Sequence, residues 1–370
     1  MFSEVFERYD WGAVRRSIYS KTAADVERAL GRTRRDLEDF KALVSPAAGP
    51  YLEEMAQLSH RLTQRRFGKV MQLYVPLYVS NECQNICTYC GFSYENKLRR
   101  RTLSAGELSM EAAAIKAMGY EHVLLVSGEA HQTVGVDYFA RALDVLRPHF
   151  AHLSMEVQPL ETAEYERLME HGLNTVLVYQ ETYHRADYKL HHPKGKKSNF
   201  LFRLGTPDRL GEAGIHKMGL GVLIGLEDWR TDSWFTALHL QYLGRRYWKS
   251  KFSLSFPRLR PHVGGLEPKV EQTDRELIQL ICAYRCVDEE VELSLSTRES
   301  PVFRDHAVRL GVTAMSAGSR TNPGGYAVDS ESLEQFEIHD DRSPAEIAEM
   351  IRRQGYDVVW KDWDPVLQKL

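Results

Sequence analysis

Three of the chain's five cysteines, Cys83, Cys87 and Cys90, stand within eight residues in a C-x3-C-x2-C spacing. Three thiolates on one short loop can cap three irons of a cubane iron–sulfur cluster. With no fourth cysteine nearby, one iron is left open to an outside ligand. A structural zinc site usually takes four ligands. The next histidine is His122, 32 residues after Cys90, so a zinc site would need a remote ligand. The intervening Gln84, Asn85 and Thr88 are not core residue types, which argues against a chance cluster of buried cysteines. A sparse, odd cysteine count also argues against a secreted disulfide framework and for a reducing compartment.

Other residues could do chemistry or pack. Glu156, in MEVQPL, puts an acid on a half-apolar run, where burial is costly unless a partner is served. Gly219 to Gly225 (GLGVLIG) is a G-x-G-x3-G run that loosely suggests a dinucleotide loop, but it falls within a strand pattern and carries little weight. Arg258 and Arg260, in SFPRLRP, could serve a substrate or an acidic rim. The basic run His191 to Lys197 (HHPKGKK) reads either as a solvated loop or as a lid or partner contact. Cys282 and Cys286, four apart on a helical pattern, fit one packed helix face better than a second cluster.

The elements that must position these residues follow from periodicity. The first 68 residues read as helices, with Thr22 capping TAADVERALG and YLEEMAQLSHRLTQRRFG keeping apolar positions three and four apart. Then come eight short β-branched runs, at 70 to 79, 122 to 127, 153 to 158, 174 to 180, 217 to 225, 252 to 256, 291 to 296 and 312 to 317. Helical patterns fill the gaps, the clearest opened by Ser104 with Glu107 as a capping box. Strand–helix alternation implies parallel strands. Eight units fit one α/β (β/α)8 barrel of the TIM type, although an open doubly wound sheet would alternate in the same way. The expected division is an N-terminal helical layer over 1–68, a barrel over 69–330 and a C-terminal extension over 331–370 packing on the barrel.

Composition sets outer bounds. With 43% hydrophobic and 27% charged residues the chain has the makings of a sizeable core. A formal charge of −3 offers no basic excess for nucleic acid or an anionic membrane. The opening MFSEVFERYDWG has no apolar stretch of signal-peptide type, and no apolar run approaches a membrane span. A cytoplasmic protein is expected.

The motifs point further. The cysteine spacing after the first strand, with Phe92 two residues past the last cysteine, resembles the signature of radical S-adenosylmethionine (SAM) enzymes. The strings KTAADVERAL, SPAA, LYVPLYVSNECQNICTYCGF, MEVQPL, VYQETYH, SFPRLRP, LSTRESP, PGGY and VWKDWD run along nearly the whole chain. Together they resemble the 2-iminoacetate synthase family, tyrosine lyases of thiamin biosynthesis. A tyrosine lyase of [FeFe]-hydrogenase maturation and a tryptophan lyase are relatives. The first of these carries further cysteines in a C-terminal extension; here no cysteine follows Cys286, which favours the thiamin branch.

The resemblance implies a [4Fe–4S] cluster on Cys83, Cys87 and Cys90, with SAM chelated at the open iron. It implies that a low-potential donor such as flavodoxin or ferredoxin reduces the cluster. SAM then gives methionine and a 5′-deoxyadenosyl radical, and L-tyrosine is split at Cα–Cβ into 2-iminoacetate and p-cresol. It also implies thiazole synthase as the consumer of the imine. For SAM it implies Ser127-Gly128-Glu129 at the ammonium, with Ser127 departing from the usual glycine. Glu156 follows as a further SAM contact, and Tyr179, Gln180 and Glu181 at the ribose. Arg203 falls at the carboxylate, and Val222 and Leu223 at the adenine. For tyrosine it implies Arg298 and Ser316, or Ser319 in place of Ser316, at the substrate carboxylate. Tryptophan as substrate, or a non-catalytic metal-binding module, are the alternatives.

Overall fold

A computed structural model of the chain describes residues 1–260, 266–329 and 335–361. Pro261 of SFPRLRP, the end of VWKDWD and parts of the expected C-terminal extension lie outside them.

Eight parallel strands close into a barrel: β1 (Val70–Ser80), β2 (His122–Ser127), β3 (His152–Glu156), β4 (Leu173–Leu177), β5 (Lys217–Gly221), β6 (Lys251–Ser255), β7 (Glu292–Leu295) and β8 (Ala314–Ser316). Closure comes from β1, which pairs with β2 on one side (Val75↔Val123 to Tyr78↔Val126) and with β8 on the other (Gln72↔Ala314 to Tyr74↔Ser316). That excludes the open sheet. A ninth strand, β9 (Asp357–Val359), joins the outer end of β1 through Val70↔Asp357. The strands are buried along almost their whole length, as expected when helices cover one face and barrel packing the other.

Strands four and five stop earlier than their residue types suggest, at Leu177 and Gly221 rather than 180 and 225. The cause is local: Glu181 adopts a left-handed φ of 70°, so beyond the regular ladder only single bridges remain, Glu181↔Val222 and Ile224↔Arg258. The GLGVLIG glycines serve packing. A Cβ on Gly219 would come within 2.5 Å of Leu177 Cγ, so this residue is a gap that lets Leu177 cross the interior, and the dinucleotide reading falls.

The N-terminal helices Phe2–Phe6, Trp11–Tyr19, Ala23–Gly31, Leu37–Val44 and Leu52–Phe67 cover two barrel helices, Trp229–Arg246 and Asp274–Val287. Hydrogen bonds fix the layer: Trp234 Nε1 donates to Leu37 O at 3.1 Å, and Gln279 Nε2 to Leu43 O and Ser45 O, both at 2.8 Å. Phe2 stacks on His239 with ring centres 3.7 Å apart. Because both helices are sandwiched, they are buried nearly all round, and Cys282 and Cys286 lie in this core as packing residues. The cap at Ser104 forms with Glu107 as its spacing requires.

The segment after β8 is tied down by charge. Arg304 and Asp340, both fully buried, form an ion pair that Arg342 extends, and Arg304 also donates to Ser316 O. Asp340 is the carboxylate that Arg304 meets among the described residues, so removing it strands a buried guanidinium. Asp340→Leu should therefore lose about 3 kcal/mol and lower the urea midpoint at unchanged slope; an unchanged midpoint in equilibrium unfolding would show the pair to be dispensable.

Candidate active site

The strands' C-terminal ends converge on one cleft, lined by Cys83, Cys87 and Cys90 together with residues from every strand end. The cysteine loop follows β1 directly. It is held from beneath by Arg100, whose guanidinium donates to the carbonyls of Asn81, Phe92 and Ser93 at 2.6, 2.8 and 2.8 Å. Cys87 N donates to Ser93 Oγ at 3.0 Å. Gly128 sits against the loop, and a Cβ there would lie 2.3 Å from Glu82 O, so only glycine lets β2's end approach so closely. Phe92 is buried edge-on to Tyr78, ring centres 5.9 Å apart, fixing the chain after Cys90.

The three thiols stand on one short loop at the cleft, an arrangement that suits three irons of a cluster. Burial raises the Cys87 thiol well above its usual range, against a lowering pull from Lys197, so a bound cation would be needed to hold the thiolate. Gln335, from the far segment, donates to Cys90 Sγ at 3.6 Å and accepts from Tyr78 OH at 2.7 Å.

Beside the cysteines lie four paired charges, Glu129, Glu181 and Arg203 buried and Lys197 half-buried. Arg203 reaches Glu129 at 2.9 Å, Glu181 at 3.4 Å and Tyr179 O at 2.7 Å; Lys197 reaches Glu181 at 2.7 Å. Asn85, between the cysteines, joins this group to the loop by donating to Glu129 at 2.8 Å and accepting from Lys197 N at 3.0 Å. Burial alone would raise the Glu129 carboxyl, but Arg203 and Lys197 hold it below its usual range. For Lys197, burial and Arg203 pull downward, and Glu181, Cys87 and Glu129 outweigh them, leaving it raised and charged. The left-handed backbone of Glu181, a conformation costing roughly 1–2 kcal/mol, aims its carboxylate at these cations.

Across the cleft, Arg298 stacks its guanidinium on Phe336 at 3.4 Å, with burial lowering its pKa. Ser316 Oγ accepts from Thr297 N at 3.2 Å. Ser127 Oγ and Ser319 Oγ are buried at the cleft with no protein partner, as hydroxyls awaiting a ligand would be. Burial, then the Glu181 charge, push Glu156 up to about 7, with Arg298 opposing.

The cleft thus brings together Phe92, Ser127, Gly128, Glu129, Glu156, Tyr179, Glu181, Arg203, Leu223, Arg298, Ser316 and Ser319 with the cysteines. Gln180 and Val222 do not line it. Both are buried on the opposite side of their chain segments, Val222 in the main core, because side chains alternate in extended backbone. Arg258 and Arg260 both meet the buried Glu299, Arg258 through two guanidinium nitrogens, so they brace the rim. Sequence reasoning missed Asn85, Lys197, Gln335 and Phe336. Asn85 and Lys197 sat inside motifs already singled out; Gln335 and Phe336 carried no local signal. Another group of possible metal ligands, His184, Asp187 and Glu227, already has Lys269 bound to both acids.

Residues 77–234 match the Radical SAM superfamily, and residues 255–357 match the Biotin and Thiamin Synthesis associated domain. A 2-iminoacetate synthase of Escherichia coli (strain K12) is 54% identical over 367 residues, covering 99% of this chain and 97% of that one. The Salmonella typhimurium enzyme of that name is 52% identical over 98% and 97%. Among solved structures, HydG, a maturase of the [FeFe]-hydrogenase, superposes with a TM-score of 0.89 at 29% identity, covering 95% of this chain and 80% of that one. Methylornithine synthase shares the fold, with a TM-score of 0.71 at 17% identity over 90% and 97%.

The raised Glu156 makes a pH prediction. Its folded-state pKa of about 7 lies above the ordinary carboxyl value of 4.5, so folding favours the protonated form. The stability this contributes is full below about 4.5 and is lost as pH rises through about 7. In the cluster-free protein, Glu156→Gln should flatten the fall in urea midpoint between pH 5 and 8; an identical fall in the variant would contradict the assignment.

Proposed function

The chain belongs to the 2-iminoacetate synthase family of radical SAM enzymes, and from that premise we propose which of its residues hold each reactant. It is a lyase that cleaves the Cα–Cβ bond of L-tyrosine to 2-iminoacetate and p-cresol, with SAM cleaved to 5′-deoxyadenosine and methionine, in thiamin biosynthesis. Its cofactors are a [4Fe–4S] cluster and SAM. When bound, these supply one-electron chemistry that splits SAM and yields a carbon radical able to take a hydrogen atom.

Cys83, Cys87 and Cys90 would hold three irons of the cluster. Their common place at the cleft, on a loop braced by Arg100, supports this. The methionine part of SAM is a zwitterion, and the single observation that best supports its place is the Glu129–Arg203 pair. A carboxylate and a guanidinium held 2.9 Å apart beside the cysteines present an ammonium acceptor and a forked carboxylate donor at matching separation. Ser127 Oγ, unpaired, adds a polar contact there. Glu181, with Tyr179 beside it, serves the ribose hydroxyls, and Leu223 walls the adenine.

Tyrosine's carboxylate goes to Arg298, whose face is pinned by Phe336 while its edge points into the cleft, with Ser316 and Ser319 alongside. Glu156 lines the cleft and feels the charge of Arg298. It therefore serves either SAM or the substrate ammonium. The aromatic walls, buried Tyr78 and half-buried Tyr89 and Tyr179, exclude water from the hydrogen-transfer step and hold both reactants in one geometry. The likeness to the family supports a handover of the imine to thiazole synthase in the cytoplasm; no helix among the described residues is long and apolar enough to cross a membrane.

Anaerobically reconstituted protein given SAM, tyrosine and dithionite should release deoxyadenosine and p-cresol. Arg298→Met should raise the KM for tyrosine about 100-fold, a loss of roughly 2.7 kcal/mol, while leaving iron content unchanged. An unaltered KM would remove Arg298 from the substrate site, and deoxyadenosine without cresol would reject tyrosine as substrate.

A further inference from the structure

The basic run His191 to Lys197 is not a free loop. Lys194 O accepts from Ile86 N at 3.0 Å and His191 O from Thr88 N at 3.2 Å, so the run lies antiparallel against the cysteine loop. Two ring contacts lock it there: His191 Nδ1 to Thr88 Oγ1 at 2.7 Å and His192 Nε2 to Tyr89 OH at 2.6 Å. A Cβ on Gly195 would meet Asn85 Oδ1 at 2.1 Å, so the two segments are in direct backbone contact. This strap turns its lysines in opposite directions. Lys197 points inward to Glu181, while Lys194 and Lys196 are exposed, as is Lys189 two residues before His191.

These three outward lysines form no ion pair among the described residues. On the other flank of the cysteine loop, the exposed Arg99 faces Asp329 at 4.0 Å, so its charge is partly met, unlike those on the strap. The strap's positive charge stands against a chain whose net charge is −3. Between Cys87 and Cys90, Thr88 is exposed, so the cysteine loop reaches solvent at the strap edge, as it also does at Gln84.

We propose that Lys189, Lys194 and Lys196 form the docking face for an acidic redox protein, which delivers its electron to the cluster past Thr88. The proposal rests on the cluster reading above. In the step itself the donor is oxidised by one electron, the cluster is reduced by one, and no bond forms between the proteins. Lysines around the entry point steer an anionic partner and fix its orientation, raising the encounter rate more than the intrinsic chemistry.

The test compares two reductants on the reconstituted enzyme. In Lys194→Glu/Lys196→Glu, deoxyadenosine formation driven by reduced flavodoxin should fall about 10-fold or more, and Kd for flavodoxin should rise about as much. The dithionite-driven rate should stay within about 2-fold, because a small reductant needs no docking face. In the unaltered enzyme, Kd should weaken steeply with added salt. An unchanged flavodoxin rate and Kd would place the donor elsewhere and overturn the proposal. Equal losses with both reductants would assign the lysines a structural role and also overturn it. Failure of the unaltered enzyme with dithionite would instead overturn the cluster reading beneath it.

Discussion

Four charged side chains withdrawn into one barrel mouth, three of them buried, can persist only if they neutralise one another. Glu129, Arg203, Glu181 and Lys197 do so in an alternating chain of contacts. An unpaired charge at this depth would cost several kcal/mol, so each residue constrains where the others' backbones run. Glu181 pays for its place with a left-handed backbone that ends β4's ladder. Lys197 brings with it the whole strap from His191. Asn85 couples the set to the cysteine loop, so the charges and the cysteines are positioned as one unit.

Barrel closure makes that unit possible. Eight parallel strands tilt into a ring whose C-terminal ends all face the same space, so β1 can deliver the cysteines, β2 and β4 the acids, and β7 and β8 the opposite wall. The distal wall is fixed independently: Arg304 holds Ser316 O against the buried Asp340, and Phe336 holds Arg298 flat. The cleft therefore has two rigid sides, one carrying paired charges and thiols, the other a single forked cation with hydroxyls.

Much of this was legible in the residues. The eight strands read correctly in number and order because parallel strands covered on both faces are runs of β-branched residues. Their ends at the mouth read poorly, since Glu181 and Leu223 are placed by the site rather than by local propensity. Strict alternation explains Gln180 and Val222: with Tyr179, Glu181 and Leu223 turned to the cleft, their neighbours must face away. Lys197 was visible only as one charge in a basic run, because its partner Glu181 is sixteen residues distant in sequence. Gln335 and Phe336 were invisible, since their contacts with Cys90 and Arg298 exist only after the chain has closed the barrel.

The account stands or falls on an open iron beside the Glu129–Arg203 pair. Electron paramagnetic resonance of the reconstituted, dithionite-reduced protein tests it directly, with SAM labelled at the methionine amino nitrogen. The expected result is a [4Fe–4S]+ signal that shifts on SAM addition and shows nitrogen coupling. A bound zinc without iron, or a cluster signal unaffected by SAM, would contradict it.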